Sequence, residues 1–176
     1  MNETLKVLES RRSCRKFLAD KIPSDEDLKA IIRAGTFAPS GMGKQPVKII
    51  AVTNKKLRDE ISAENAKVMG QSAGFDPFYG APVILIVIAD KSSGTYVYDG
   101  ALVMGNMMNA AESLGIANIW IHRAKEEFES DFGKKILKEL DIEGDFEGIG
   151  HVALGYAAEG GTNPAAERKS NVYWCR

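Results

Sequence analysis

A short basic segment near the amino terminus is the chain's clearest candidate for ligand binding. Arg11–Phe17 reads Arg-Arg-Ser-Cys-Arg-Lys-Phe and contains no acidic residue. Guanidinium groups bind phosphate through charge-assisted, often bidentate hydrogen bonds, and a serine hydroxyl adds a neutral donor. The segment therefore indicates a site for an anionic group. A solvated basic surface is the alternative, because charge runs are usually exposed.

A second segment, Ala38–Pro46, is rich in glycine, serine and proline and joins a helical pattern to an apolar run. Glycine lets main-chain amides approach a ligand closely, so this loop could hold a flat polar ring. It contains fragments of a phosphate-binding motif but precedes a strand instead of following one. That order argues against a Rossmann or kinase-type nucleotide site. An ordinary connecting loop is the alternative.

Other reactive residue types are scattered along the chain. The two histidines, His122 and His151, lie in separate predicted strands without acidic residues at ligand spacing, so no metal site is predicted. His122 and Arg123 end a predicted strand, where α/β folds tend to place ligands, although local hydrogen bonds could equally explain the histidine. We interpret His151 as structural. Arginine neighbours would lower the pKa of the Cys14 thiol, but no general base accompanies it, and we interpret it as incidental.

Length and charge limit the class of protein. The 176 residues predict one domain spanning residues 1–176. A formal net charge of -1 argues against nucleic acid or an acidic membrane as the main partner. The longest apolar run, residues 81–89, is too short to span a bilayer, and the first residues lack a signal-peptide pattern. We therefore expect a cytoplasmic protein without a membrane partner.

The periodicity of apolar residues predicts a mixed α+β fold with helices on both faces of a small sheet. Residues 82–89 are nearly all Val, Ile and Leu without alternation, which indicates a central strand covered on both faces. The helix predicted over 99–114 is apolar almost all round and should be buried in the domain or against another subunit. The other expected elements are strands at 47–52, 116–121 and 151–154, and helices after Ser24, over 55–69 (charged and largely exposed) and over 126–140.

Taken in order, these motifs resemble the nitroreductase family of flavin enzymes. The resemblance covers nearly the whole chain and implies a three-layer fold, with a central mixed sheet flanked by helices. It also implies an intertwined homodimer with a C-terminal extension and flavin sites at the interface. The motifs that carry it are Arg11–Phe17, Ala38–Ser40, Gln45-Pro46, Gly80–Ile84, the helix over 99–115, Gly155-Tyr156 and Arg168.

The resemblance implies FMN as cofactor and NAD(P)H as co-substrate, and because the flavin carries the chemistry no catalytic side chain is expected. Arg11 and Ser13 would contact the FMN phosphate, joined by Arg168. Arg15 would lie near N1 and the C2 carbonyl of the ring, where positive charge stabilises the reduced anion. A loop of the partner subunit would line the ring. The remaining cofactor-binding residues expected on this basis are Arg12, Pro39, Ser40, Gly41, Gln45, His122 and Arg123.

The implied activity is hydride transfer from NAD(P)H through flavin N5 to a small acceptor such as a nitroaromatic, a quinone or free flavin, in a ping-pong cycle. Two alternatives stay open: a non-catalytic flavin- or nucleotide-binding module, and a flavin enzyme of this fold with another redox step. The segment Gly74–Tyr79 offers only Asp76 and aromatic residues, where many larger members of the family carry an Asn and a Lys. The nicotinamide preference and the acceptor therefore stay open.

Overall fold

A computed structural model describes residues 1–176. A 3-10 turn, Gly41–Gly43, lies in the loop between the second helix and the first strand. The strands are β1 (Val47–Val52), β2 (Val83–Asp90), β3 (Ala117–Ile121) and β4 (Phe146–Gly155). The α-helices are α1 (Glu3–Ser10), α2 (Asp25–Thr36), α3 (Lys55–Val68), α4 (Tyr96–Ser113), α5 (Ala124–Glu129) and α6 (Asp131–Glu139).

The four strands form one sheet in the order β1-β2-β4-β3. Every pairing between these strands is antiparallel, and the parallel component of the expected mixed sheet is limited to a bridge between Ser13 and Asn118. Residue patterns could not settle strand direction, because a connection as long as α3 allows either direction.

The strand β2 has a core on each of its two faces, which confirms the predicted central strand. Val83–Ala89 are all buried. Ile84 belongs to a core that includes side chains of α3, α5 and α6, and its neighbour Leu85 belongs to a core that includes side chains of α2 and α4. Successive side chains of a strand point to opposite faces, so helices on both sides are needed to cover β2. The result is the expected three-layer α+β fold.

Two predicted helices differ from the sequence-based expectation. The helix expected over 126–140 is divided into α5 and α6, because the Ser130 side chain accepts from the Gly133 amide and starts a new helix. The helix α4 begins earlier than expected, at Tyr96, and leaves Tyr98 and Leu102 exposed on its outer side. No helix combines the length and the apolar composition needed to cross a membrane.

The helix α3 is less exposed than its charged sequence indicated. Arg58, Ser62 and Asn65 are polar, share one helical face and are buried. Arg58 donates from Nε to the Ala81 carbonyl (2.9 Å) and from Nη2 to Oδ2 of Asp76 (2.6 Å). Ser62 donates to the other oxygen of Asp76 (2.7 Å). Polar contacts from α3 thus fix the irregular segment that leads into β2.

Asp76 supplies an acid-sensitive part of the stability. Burial by itself would raise the pKa of the Asp76 carboxyl, but hydrogen bonds from Arg58 and Ser62, the Arg58 charge and the Gly80 amide outweigh it and hold the pKa below its usual value. A folded-state pKa below the unfolded value of about 3.9 means that the stabilisation is present above about pH 4 and is lost as the pH falls through the folded-state pKa.

We predict that Asp76→Asn lowers the free energy of unfolding at pH 7 by about 2–3 kcal/mol, because the buried Arg58 guanidinium then keeps only the exposed Asp59 as a carboxylate partner. The difference from wild type should narrow below about pH 4, which urea unfolding at several pH values measures. Asp59→Asn is the control: Asp59 contacts the same Arg58 (3.3 Å) but is exposed, so its loss should cost at most about 1 kcal/mol. A difference that stays constant down to about pH 3 would contradict this account of Asp76.

Candidate functional site

The main chain of the basic segment is fixed at the edge of the sheet. Ser13 bridges to Asn118 at the start of β3. The Cys14 amide donates to the Asn118 carbonyl (3.0 Å), and the Arg15 amide donates to the carbonyl of Gly161, after β4 (2.7 Å). The backbone is thus held from two sides, while the Arg15 side chain extends to the surface.

The cations of this segment have no acidic partner in the chain. Arg11, Arg15 and Lys16 form no ion pair. Arg12 donates from Nη1 to the carbonyls of Glu9 (2.7 Å) and Arg11 (2.8 Å). Arg11 and Arg12 are half-buried, whereas Arg15 is exposed. An uncompensated group of cations on a fixed backbone suits an anion such as phosphate.

The loop of residues 39–45 is held against the amino-terminal part of α4. The Gly41 amide donates to Oδ1 of Asp99 (3.0 Å), and the Thr95 hydroxyl donates to Oδ2 of the same buried carboxylate (2.8 Å). A Cβ at Gly41 would overlap the Thr95 hydroxyl. Glycine is therefore required here by close approach within the chain, and the loop has a defined position.

A cavity of about 250 Å³ lies between this loop, α2, β1 and α4. Pro39, Ser40 and Gln45 line it together with apolar side chains that include Ile49 and Val103. The main-chain amide of Gln45 donates to the Ser40 hydroxyl (3.0 Å), which closes the loop. Small-molecule sites usually measure about 300–1,000 Å³, so this cavity corresponds to part of a site.

His122 and Arg123 lie together at the carboxyl end of β3, on a second cavity of about 380 Å³. Arg123 has φ of 79°, a left-handed conformation that residues other than glycine rarely adopt. Arg123 Nε donates to Oδ1 of Asn65 (3.0 Å), and Nδ2 of Asn65 donates to the His122 carbonyl (2.9 Å). Sequence reasoning missed Asn65, because an asparagine within a charged helix resembles a solvent-exposed residue.

One chain brings together only some of the residues predicted from sequence. His122 lies roughly 13 Å along β3 from Asn118, the neighbour of Ser13, because a strand rises about 3.3 Å per residue. The basic segment and the β3 end therefore flank one strand. The loop of residues 39–45 lines a different cavity. Arg168 lies in an exposed segment without regular secondary structure, residues 163–176, that forms no hydrogen bond with the rest of the chain.

The Cys14 thiol does not face the arginines. Cys14 is fully buried in the apolar core on the α3 side of the sheet. Burial raises the pKa of the Cys14 thiol, and the hydrogen bond from Sγ to the Lys16 carbonyl (3.2 Å) offsets only part of that effect. The expectation that neighbouring arginines lower this pKa is therefore wrong, because desolvation outweighs nearby charge.

Residues 8–156 match the sequence profile of the nitroreductase family. The matched range includes the basic segment, the loop of residues 39–45 and the end of β3. The chain therefore belongs to the nitroreductase family.

Individual relatives resemble the chain over most of its length. An NADPH-flavin oxidoreductase of Vibrio harveyi is 33% identical over 130 residues, which cover 69% of this chain and 54% of the relative. An FMN reductase [NAD(P)H] of Bacillus subtilis is 30% identical over 142 residues, which cover 68% of this chain and 53% of the relative. The chain spans about half the length of these two curated relatives. A crystal structure of a nitroreductase with bound FMN from Bacteroides fragilis superposes with a TM-score of 0.87 at 31% identity and covers 100% of both chains.

The two cysteines should differ sharply in reactivity. Both are free thiols; Cys14 is buried and Cys175 is exposed. Since only an accessible thiolate reacts readily, we predict that iodoacetamide modifies Cys175 in the folded protein and leaves Cys14 intact, as measured by peptide mass spectrometry. In denaturant both should react, and a Cys175→Ser variant should take up no label while folded. Labelling of Cys14 in the folded protein at the rate of Cys175 would contradict the burial of its thiol.

Proposed function

We propose that this protein is an FMN-dependent oxidoreductase that takes electrons from NAD(P)H. Family membership and the full-length similarity to an FMN-bound nitroreductase support this class of enzyme and this cofactor. The names of the V. harveyi and B. subtilis relatives support NAD(P)H as the electron donor. The observation that carries the proposal is the cluster of Arg11, Arg12 and Arg15, which is fixed beside β3 and has no acidic partner.

The residues present fit the charge of FMN. We assign Arg11 and Ser13 to its phosphate, with Arg12 adding positive charge beside them. Arg15, whose guanidinium forms no ion pair, would place positive charge at the N1 edge of the ring. When bound, FMN supplies the redox chemistry by accepting a hydride at N5 and later passing it to an acceptor. The protein's own task is to bind and orient both partners and to limit the access of water.

We further propose a homodimer in which each site takes residues from both chains. Tyr98 and Leu102 are 72% and 46% exposed, one helical turn apart on α4. Tyr173 and Trp174 are 91% and 76% exposed in the C-terminal segment. Exposed apolar surface of this kind is typical of association sites. A second chain would cover these residues and bring its loop of residues 39–45 to the ring, and Arg168 would reach the phosphate from the C-terminal segment.

The acceptor in this proposal is a small molecule such as a nitroaromatic, a quinone or free flavin. Oxidised nicotinamide would leave before the acceptor enters the same space, which is a ping-pong cycle. No acid–base pair of side chains is required, because electrons pass through the cofactor. This agrees with a candidate site made of arginines, a serine and a loop.

The proposal predicts a yellow protein whose bound FMN is bleached by NADH or NADPH and recovers its colour with an acceptor. We expect Arg11→Ala to weaken FMN binding by about 1.5–3 kcal/mol, the contribution of one charged hydrogen-bonded pair, as measured by fluorescence titration. Arg33→Ala is the control, because Arg33 is exposed at the end of α2 and stacks on Phe37.

Three results would count against parts of this proposal. A colourless wild-type protein that does not take up added FMN would refute the cofactor. Unchanged affinity in Arg11→Ala would place the phosphate elsewhere. Bound FMN that neither nicotinamide reduces would favour a non-catalytic binding module over an enzyme.

A shared site also predicts complementation between two defective variants. Arg11→Ala alters the basic segment, and Gly41→Val displaces the loop because its side chain would overlap Thr95. If each site combines the segment of one chain with the loop of the other, a mixed dimer has one site with neither change. Activity should therefore return when the two variants are co-expressed, although each alone is impaired. Absence of recovery in isolated mixed dimers would show that each site lies within one chain.

A further inference from the structure

A buried polar network lies against the His122–Arg123 turn. Asn65, which is 0% exposed, makes three contacts with its amide. Its Nδ2 donates to the His122 carbonyl (2.9 Å) and to the Glu127 carboxylate, and its Oδ1 accepts from Arg123 Nε (3.0 Å). An amide offers a donor and an acceptor together. One side chain can therefore hold the carbonyl of one residue and the guanidinium of the next.

Behind Asn65 lies a fully buried acid–imidazole pair. Glu127 is 1% exposed and His151 is 0% exposed, with 3.0 Å between Oε2 and Nε2. The other ring nitrogen of His151 faces the Ile121 carbonyl at 3.3 Å, and a carbonyl can only accept. Each ring nitrogen of His151 thus has one polar partner, so the imidazole is fixed and in turn fixes the Glu127 side chain that contacts Asn65.

The conformation of Arg123 is the second observation. A left-handed residue other than glycine persists only where its surroundings over-determine it, and such residues cluster at ligand sites. Arg123 satisfies both conditions, because Asn65 holds its Nε and the turn borders the 380 Å³ cavity. With Nε occupied and no ion pair formed, both Nη groups stay available to an acceptor in that cavity.

We propose that Asn65 is a positioning residue for the flavin site, and that the Glu127–His151 pair holds Asn65 in place. This inference rests on the proposed function. The network fixes the His122 carbonyl and the Arg123 guanidinium. The end of β3 therefore presents its polar groups to the flavin ring in one arrangement. Neither Asn65 nor the buried pair lines the cavity itself, so their effect passes through His122 and Arg123.

Asn65→Ala tests the positioning role. We expect faster hydrogen exchange at the amides of residues 121–124 in the protein without added flavin, because the turn loses its side-chain anchor. In the FMN-bound protein the visible circular dichroism of the flavin should change. Its rate of reduction by NAD(P)H should fall about 10- to 100-fold, since misplacement of about 1 Å can cost that much.

Ser62→Ala is the matched control. Ser62 lies one turn earlier on α3, is buried and makes a hydrogen bond to Asp76 that is unrelated to the turn. Its loss should lower the melting temperature without altering the flavin spectrum or the exchange at residues 121–124. If the two variants alter the flavin signals equally, Asn65 acts through general stability and the proposal fails.

A double variant, Asn65→Asp with Glu127→Gln, keeps the proposal testable if Asn65→Ala does not fold. It exchanges the amide and the acid at nearly constant volume, so the network keeps one carboxylate and one amide. The carboxylate introduced on α3 would still accept from Arg123, but it could no longer donate to the His122 carbonyl. We expect the changed flavin circular dichroism and the slower reduction to persist.

A folded double variant with wild-type exchange and wild-type flavin signals would overturn the inference. Failure of the proposed function looks different, because the wild-type protein would then bind no FMN. In that case the hydrogen-exchange comparison between Asn65→Ala and Ser62→Ala still decides whether Asn65 fixes the turn.

Discussion

Burial of β2 on both faces is the constraint on which the rest of this structure depends. Seven consecutive residues, Val83–Ala89, are removed from water. Burial of apolar surface stabilises the fold by about 25 cal/mol per Å², and no other strand buries a comparable run of apolar side chains. Covering both faces requires helices on two sides, while β1 and β4 satisfy the hydrogen bonds at its two edges. The strand β3 is then left at one end of the sheet, and its free edge is the place where Ser13 and Cys14 attach.

The polar interior performs a different task. Burying a polar group is costly unless it is hydrogen-bonded, so each buried polar side chain of α3 needs a specific partner. Arg58 and Ser62 find theirs in Asp76, and Asn65 finds its partners at the end of β3. Apolar contacts tolerate small shifts, whereas these bonds fix loops to one position. The segment before β2 and the turn after β3 are therefore both ordered by α3.

The sequence was most informative where a local rule was sufficient. The run over 82–89 predicted the central strand. The helix expected after Ser24 also begins there, and the Ser24 side chain caps it by accepting from the Asp27 amide. The break at Ser130 was missed, although Ser130 followed by Asp131 is a helix-start pattern. The pairing of α3 with Asp76 could not be predicted, because it joins side chains across a loop. The left-handed Arg123 carries no sequence signal, since turn rules expect glycine or asparagine there.

For the candidate site, residue types located the segments but not the forces that hold them. Three arginines in five residues indicated an anion site, but only the three-dimensional structure shows that these arginines have no acidic partner. A chain with a net charge of -1 has enough carboxylates to neutralise this cluster, so their placement elsewhere leaves a local excess of positive charge. The like charges repel one another within the chain, and a bound anionic ligand would relieve that repulsion. The 250 Å³ cavity beside the loop of residues 39–45 is likewise small for a flavin. Charge and volume both agree with the proposal that a cofactor and a second chain complete the site.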